Sequence, residues 1–130
     1  RQVRWPPKPY TPASAGISTT SADATSGAVV AGGLVWLAGQ VADDATLDAE
    51  GQTADILAQI DALLAQAGTD KRALVSVTVV LADIRDAPAM NRAWDAWVDP
   101  AHPPARATIE GKLVDPSWTV EIIVTTALPG

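Results

Sequence analysis

The sequence contains no cysteine and only one histidine among its 130 residues. Without cysteine the chain can form no disulfide, no thiolate nucleophile and no cysteine-ligated zinc site. A chain of this kind suits a reducing compartment, so we expect a cytoplasmic location. The single histidine, His102, lies among prolines in a predicted loop. A lone loop histidine is more often inert than half of a hydroxyl–histidine pair.

Several other signals are missing. No run of about 18 apolar residues occurs, so no membrane span is predicted, and no secretory leader is expected. The sequence has no G-x-S-x-G, no G-x-x-x-x-G-K-[ST] and no G-x-G-x-x-G. The acidic loop with Asp43, Asp44, Asp48 and Glu50 lacks EF-hand spacing, so we interpret it as a solvated loop rather than a cation site. No metal and no organic cofactor is therefore predicted.

Basic residues are also scarce. The formal net charge is −6, and no lysine or arginine lies between Pro9 and Asp70. Such a chain repels phosphate backbones, so binding to nucleic acid is not expected. We interpret residues 1–26, rich in Pro, Ser, Thr and Ala, as an N-terminal arm with at most one short strand. Residues 27–130 are predicted to form one domain.

Hydrophobic periodicity predicts seven elements in this domain. Two short strands flank the Gly32-Gly33 turn, and Gly39 after them indicates a close backbone approach. The other predicted elements are a helix over 53–67, a strand over 75–81, a helix from Asp86 to before Pro100, and strands over 105–113 and 118–127. This order predicts an α+β fold, with both helices packed on one face of a sheet.

The last two strands are predicted to pair as a hairpin in which opposed residue numbers sum to about 231. That register places Arg106, Thr108 and Glu121 together on the polar face of the sheet. Two helices cannot cover this second face, which is predicted to bear Ser76, Thr78, Val80, Thr108 and Ile123. Because the face is too polar for a core and too apolar for an ordinary surface, it is suited to meeting copies of the same chain.

Arg106 follows the stiff Pro103-Pro104 connection at the start of a strand, and two interpretations of it stay open. One is an ion pair with Glu110 or Glu121 across the sheet. The other is a guanidinium that binds a substrate carboxylate in two-point geometry, with Glu121 holding a water and exchanging its proton. Hairpin pairing leaves the two charges about 13 Å apart along the strand. A bulge, side-chain reach or a neighbouring subunit would have to bring them together.

The chain resembles the Rid family, the reactive-intermediate deaminases also called YjgF/YER057c/UK114 proteins. The resemblance runs from about residue 28 to 128. It is carried by "LAGQV", "LLAQAG", "LVSVTVVLADI", "MNRAWDAWV", "PPARATIEGKL" and "WTVEIIVTTAL". The arginine of P-A-R followed fifteen positions later by a glutamate is its most specific part.

The resemblance implies a chorismate-mutase-like mixed sheet, a homotrimer with clefts between subunits, and hydrolysis of 2-imino or 2-enamino acids to 2-keto acids and ammonia. The family's carboxylate-binding arginine falls on Arg106 and its water-positioning glutamate on Glu121. The backbone of its S-G-Q segment falls on Ala38 and Gly39. A position that is often cysteine is Thr108. The family serine is thus missing, and a tyrosine found upstream of the first hairpin in many members has no counterpart here.

The leading hypothesis is therefore an enamine or imine deaminase without metal or organic cofactor, acting on a small carboxylate substrate. One alternative is a related enzyme whose site has changed to accept a bulkier biosynthetic intermediate and which catalyses its dehydration or cyclisation. Another is a trimer that binds carboxylate metabolites without turning them over. A ribonuclease role is disfavoured by the acidic chain and the lone His102.

Overall fold

The computed structural model describes residues 27–129. The predicted arm, with Trp5 and Tyr10, lies outside the described residues. The described part of the chain contains two α-helices, one six-stranded sheet and two short 3-10 turns. The strands are β1 (Ala28–Ala31), β2 (Leu34–Leu37), β3 (Gln40–Val41), β4 (Leu74–Leu81), β5 (Ala105–Glu110) and β6 (Val120–Ala127). The helices are α1 (Ala49–Gln66) and α2 (Ala87–Trp97), and the 3-10 turns are Lys71–Ala73 and Ile84–Asp86.

The first hairpin forms as predicted. Gly32 and Gly33 have φ values of 59° and 75°, which only glycine adopts without cost and which match the twist of a two-residue hairpin. Helix α1 begins four residues earlier than predicted, at Ala49, because the Asp48 side chain accepts a hydrogen bond from the Gly51 amide. This cap satisfies one of the free amides of the first turn. The end of the predicted acidic loop is thereby part of the helix.

The predicted hairpin between the last two strands is wrong. β5 pairs in parallel with β4, and β6 pairs antiparallel with the other edge of β4, so β4 lies between them. Helix α2 makes the crossover that a parallel pair requires. The strand order is β1-β2-β6-β4-β5, with β3 also paired to β6. The apolar strand β6, in which Val120, Ile122 and Val124 are buried, takes the centre, whereas the largely exposed β5 takes an edge.

The new pairing reverses the faces of β5. Residues opposite each other in neighbouring strands point to the same side of a sheet. Arg106 is opposite Val77, and Thr108 is opposite Val79, both of them core residues beneath the helices. Arg106 and Thr108 therefore lie on the helix-covered side, and not on the open face predicted for them.

Both helices cover the same face, as predicted. The core is formed by aliphatic residues of α1, Met90 and Trp94 of α2, and the inward residues of β2, β4 and β6. Gln52 links this core to the neighbouring loops. Its buried side chain donates hydrogen bonds to Leu47 O and Ser117 O and accepts one from the Thr119 amide. The open face exposes large apolar side chains, namely Trp36 (49%), Ile109 (50%) and Ile123 (39%). No helix within residues 27–129 combines the length and apolar character needed to cross a membrane.

Candidate active site

Arg106 lies at the start of the edge strand β5, and its guanidinium contacts helix α2. The terminal nitrogen Nη2 donates a hydrogen bond of 2.8 Å to Asn91 Oδ1, and Nη1 lies 3.6 Å from Met90 Sδ. The guanidinium carbon lies 5.1 Å from the centroid of the Trp94 ring, which is within the range of a cation–π interaction. Parallel pairing with β4 and the crossover through α2 bring these residues together.

No carboxylate within residues 27–129 forms an ion pair with Arg106. The other three described arginines each have one: Arg72 with Asp70, Arg85 with Asp83, and Arg92 with Glu50. Glu110, one of the two acidic partners considered from the sequence, instead accepts a hydrogen bond from the Ile84 amide. Arg106 is thus a guanidinium held by neutral groups, with its positive charge uncompensated by the described side chains.

Glu121 lies against Gly39 on the other side of the sheet. In the sheet, Glu121 is opposite Val41 of β3 and Val80 of β4. A Cβ atom built on Gly39 would come within 2.8 Å of the Glu121 carboxyl carbon, closer than real Cβ contacts. The close approach predicted at Gly39 is therefore an approach of the Glu121 carboxylate.

Ala38 and Gly39 differ in what their amides can still bind. The Ala38 amide donates to Gly27 O, and Ala38 O accepts from Gln40 Nε2. Within the described residues the Gly39 amide has no such partner. Of the two backbone amides predicted to line the site, that of Ala38 is therefore already engaged within the chain.

Thr108 lies two residues after Arg106 in the same strand, so both side chains are on one face. Its hydroxyl is buried and has no hydrogen-bond partner among the described residues. A buried hydroxyl without a partner costs about 1–3 kcal/mol. Among the described residues, the Thr108 hydroxyl is thus left without a partner on the same side of the sheet as Arg106.

The structure thus divides the predicted site into two groups. Arg106 and Thr108 are on the helix side of the edge strand, whereas Gly39 and Glu121 are on the open side beyond β4. The prediction that Arg106 and Glu121 share a face of one sheet is wrong, because it assumed a hairpin between their strands. Within one chain, Arg106 and Glu121 therefore lie on opposite sides of the sheet.

Acidic residues elsewhere have local structural roles. Hydrogen bonds from the Thr46 side chain and amide lower the pKa of Asp44. Asp48 caps α1, and Glu50 pairs with Arg92 of α2. Within residues 27–129 no group of three acidic or histidine side chains is placed to hold a metal ion. His102 lies in an exposed loop with Nδ1 3.3 Å from Asp99 Oδ2.

A groove of about 630 Å³ between α1 and α2 contains none of the predicted site residues. Trp97 lines this groove and donates from Nε1 to Asp61. Arg92 and Glu50 in the same groove pair with each other. Its charged groups are therefore largely occupied within the chain.

Two residues near Arg106 were not assigned to the site from the sequence. They are Asn91 and Trp94 of α2. They are three residues apart on α2 and so share a helix face. Both residues lie in "MNRAW", but their contact with Arg106 depends on the parallel pairing of β5 with β4, which the sequence pattern does not indicate.

A family profile described as Endoribonuclease L-PSP matches residues 18–128 of the chain. A RutC family protein of Haemophilus ducreyi is 47% identical over 96 residues, which cover 74% of this chain and 82% of that protein. The chain belongs to the YjgF/Rid family. The RutC family protein YoaB of Escherichia coli is 44% identical over 88 residues, which cover 68% of this chain and 77% of YoaB.

Solved structures agree with this membership. A member of the YjgF protein family from Neisseria meningitidis has a TM-score of 0.81 and 42% identity, covering 88% of this chain and 93% of that one. A YjgF/YER057c/UK114 family member from Mycobacterium tuberculosis has a TM-score of 0.74 and 26% identity, covering 86% and 97%. The α+β fold with two helices on a six-stranded sheet is thus the fold of the family.

Proposed function

We propose that this YjgF/Rid protein hydrolyses a 2-imino or 2-enamino acid to a 2-keto acid and ammonia, without metal or organic cofactor. The observation that carries the proposal is Arg106, the one described arginine without a carboxylate partner. A planar guanidinium binds a carboxylate through two parallel hydrogen bonds. Its free charge is what an anionic substrate needs.

For this reaction the protein has to supply mainly the positioning of the substrate and the transfer of protons. Arg106 orients the substrate carboxylate, and Glu121 takes a proton from a water that adds to the imine carbon. The π electrons of the C=N bond move to nitrogen, which takes this proton from Glu121, and a carbinolamine forms. Its hydroxyl proton then passes through Glu121 to the nitrogen as the carbon–nitrogen bond breaks, so ammonia leaves and the water oxygen becomes the keto oxygen. A 2-enamino acid first becomes the imine by moving a proton from its nitrogen to its terminal carbon. The Gly39 amide and the Thr108 hydroxyl complete the site.

We further propose that the chain acts as a homotrimer with this site between subunits. Arg106 and Glu121 are on opposite sides of one sheet, so a single chain does not bring them together. The open face exposes Trp36, Ile109 and Ile123, and apolar side chains of this size favour contact with another copy. Static light scattering at micromolar concentration is expected to give the trimer mass, and a stable monomer would contradict this.

A ribonuclease activity, which the name of the matched family profile suggests, is less well supported. The chain carries a net charge of −6, and three of its four described arginines are already ion-paired. Binding to a phosphate backbone depends on free cations. The exposed His102, near Asp99, lies in a loop between α2 and β5.

A second candidate is a related reaction on a bulkier intermediate. It is favoured by Ala38 and Thr108, which stand where the family pattern has serine and often cysteine. These differences change the lining of the site and keep its carboxylate anchor. A substrate panel of increasing side-chain size distinguishes the two candidates.

The experiment uses 2-aminoacrylate generated in place by a dehydratase, with pyruvate release followed by a coupled assay. The deaminase proposal predicts faster release than the spontaneous rate, in proportion to protein concentration. Unchanged release would contradict it, and 2-keto acid binding by calorimetry without turnover would indicate a non-catalytic carboxylate binder. An RNA-cleavage assay on the same preparation tests the ribonuclease alternative.

A further inference from the structure

All contacts described for the Arg106 guanidinium come from helix α2, and all are neutral. They are the amide oxygen of Asn91, the thioether of Met90 and the indole face of Trp94. Each can attract a cation without carrying a negative charge. The helix therefore holds the guanidinium without cancelling its charge.

These contacts also leave donors of the guanidinium free. Nη1 lies near Met90 and Nη2 donates to Asn91. A guanidinium has five N–H donors, so two contacts leave three of them for a carboxylate, which a planar guanidinium binds through parallel hydrogen bonds.

Trp94 is a rigid support for this arrangement. It is only 7% exposed and belongs to the hydrophobic core, and its ring lies 5.5 Å from that of Trp97. An arginine on a flexible stem loses side-chain entropy when it binds a ligand, and a preformed contact reduces that loss. A guanidinium already held against the Trp94 ring therefore loses less side-chain entropy when the substrate binds.

We propose that Asn91 and Trp94 are positioning residues, which fix the orientation of Arg106 and leave its charge and its remaining donors free for the substrate carboxylate. The inference rests on the proposed function, in which Arg106 is the carboxylate anchor. The inference adds that residue 91 must be neutral for Arg106 to bind the substrate carboxylate tightly. An aspartate there would keep the hydrogen bond and compete with the substrate for the same charge.

The test compares Asn91→Ala, Asn91→Asp, Trp94→Leu and Trp94→Phe. Pyruvate binding is measured by calorimetry, and KM and kcat are measured with 2-aminoacrylate. Asn91→Ala is expected to weaken binding and raise KM about 5-fold, and Asn91→Asp about 30-fold, with kcat changed less than KM. Trp94→Leu is expected to behave like Asn91→Ala, and Trp94→Phe to restore most of the affinity because it keeps an aromatic face. Arg92→Ala, on the same helix but paired with Glu50, is the matched control and should bind as the wild type.

A double-mutant cycle with Arg106→Ala separates positioning from a general effect on folding. Asn91→Ala should weaken binding no further once Arg106 is absent. An equal loss in both backgrounds would overturn the proposal, as would Asn91→Asp binding as tightly as the wild type. If Arg106→Ala itself binds normally, the proposed anchor fails. If only Arg106→Ala weakens binding, the anchor stands and the positioning role is overturned. Thermal unfolding checks each variant, and Trp94→Phe replaces Trp94→Leu if the latter does not fold.

Discussion

The backbone of Gly39 and the carboxylate of Glu121 are in direct contact, with no room between them for a methyl group. The contact follows from the short strand β3, whose Val41 pairs with Glu121 of β6. Gly39 thus sets the position of a side chain that we propose to handle the attacking water. The glycine is explained by that contact and not by its own backbone conformation.

Replacing Gly39 with alanine is expected to reduce kcat by about 10- to 100-fold with little loss of stability. The added methyl group would push the Glu121 carboxylate away, and general acid–base catalysis contributes factors of about 10² to 10⁴. Because the displaced atoms end a flexible side chain, the free energy of unfolding should fall by less than about 1 kcal/mol. Steady-state kinetics and urea denaturation measure the two effects.

Glu121→Gln is the control for this substitution. If Gly39→Ala acts by displacing Glu121, adding it to Glu121→Gln should lower kcat little further. A full additional loss in the double variant would show that Gly39 acts independently of Glu121. Normal kcat in Gly39→Ala would contradict the role given to the contact.

Arg106 is expected to govern substrate binding and turnover. Arg106→Ala leaves a substrate carboxylate unpaired, a cost of roughly 2–4 kcal/mol by analogy with lost charged hydrogen bonds. This predicts a fall of about 30- to 1000-fold in kcat/KM. Arg106→Lys keeps the charge but not the planar fork, so it should lie between alanine and the wild type.

Arg106 is exposed at the start of an edge strand, so both variants should fold and assemble. Circular dichroism and light scattering check this. Near-normal turnover of Arg106→Ala would contradict the anchor role, and unfolding of both variants would give the arginine a structural role instead.

Much of the fold could be predicted from the sequence because its signals are local. The Gly32-Gly33 turn, the apolar spacing along α1 and the alternation in β4 each reflect neighbours within a few residues. The pairing of β5 and β6 could not be predicted in the same way. Strand alternation shows which residues share a face, but it does not show which strand lies next to which.

The candidate site could not be fully predicted for the same reason, because local patterns do not show which strands are neighbours. Arg106, Glu121 and Gly39 were each selected from sequence, and the structure gives each a distinct local setting. Their grouping on one face depended on a hairpin that does not form. The contact of Asn91 with Arg106 depends on the parallel crossover, which no local pattern indicates.

Low pH is expected to lower the free energy of unfolding partly through protonation of the Asp83 carboxylate. Hydrogen bonds from the Arg85 side chain, and then from its amide, lower the pKa of Asp83 to about 2 from its ordinary value of 3.8. A carboxylate whose pKa is lowered by folding stabilises the native state above the unfolded pKa, and this contribution is lost as pH falls through the folded pKa. Between about pH 4 and pH 2, the free energy of unfolding of Asp83→Asn should therefore fall less steeply than that of the wild type.

Urea denaturation at fixed protein concentration measures this slope. The pair is exposed, so the difference should be small and reduced by salt. Arg85→Gln is the matched control: it removes the main cause of the shift, and adding Asp83→Asn to it should change the slope much less. Parallel wild-type and Asp83→Asn curves across this range would contradict the prediction.

Mixing two inactive variants tests whether the site joins two chains. Arg106→Ala chains keep Glu121, and Glu121→Gln chains keep Arg106. If each site takes Arg106 from one subunit and Glu121 from the next, random assembly of equal amounts restores about a quarter of the sites. Joint unfolding and refolding should therefore recover about a quarter of wild-type activity, whereas each variant refolded alone should stay inactive.

Two controls make the result decisive. In the first, Arg106→Ala is refolded with the Arg106→Ala/Glu121→Gln double variant. Neither chain then carries Arg106, so no activity should be recovered. Native mass spectrometry establishes that mixed assemblies form. Mixed assemblies without recovered activity would mean that Arg106 and Glu121 act within one chain, which the opposite faces they occupy argue against, because β4 and the thickness of the sheet separate them.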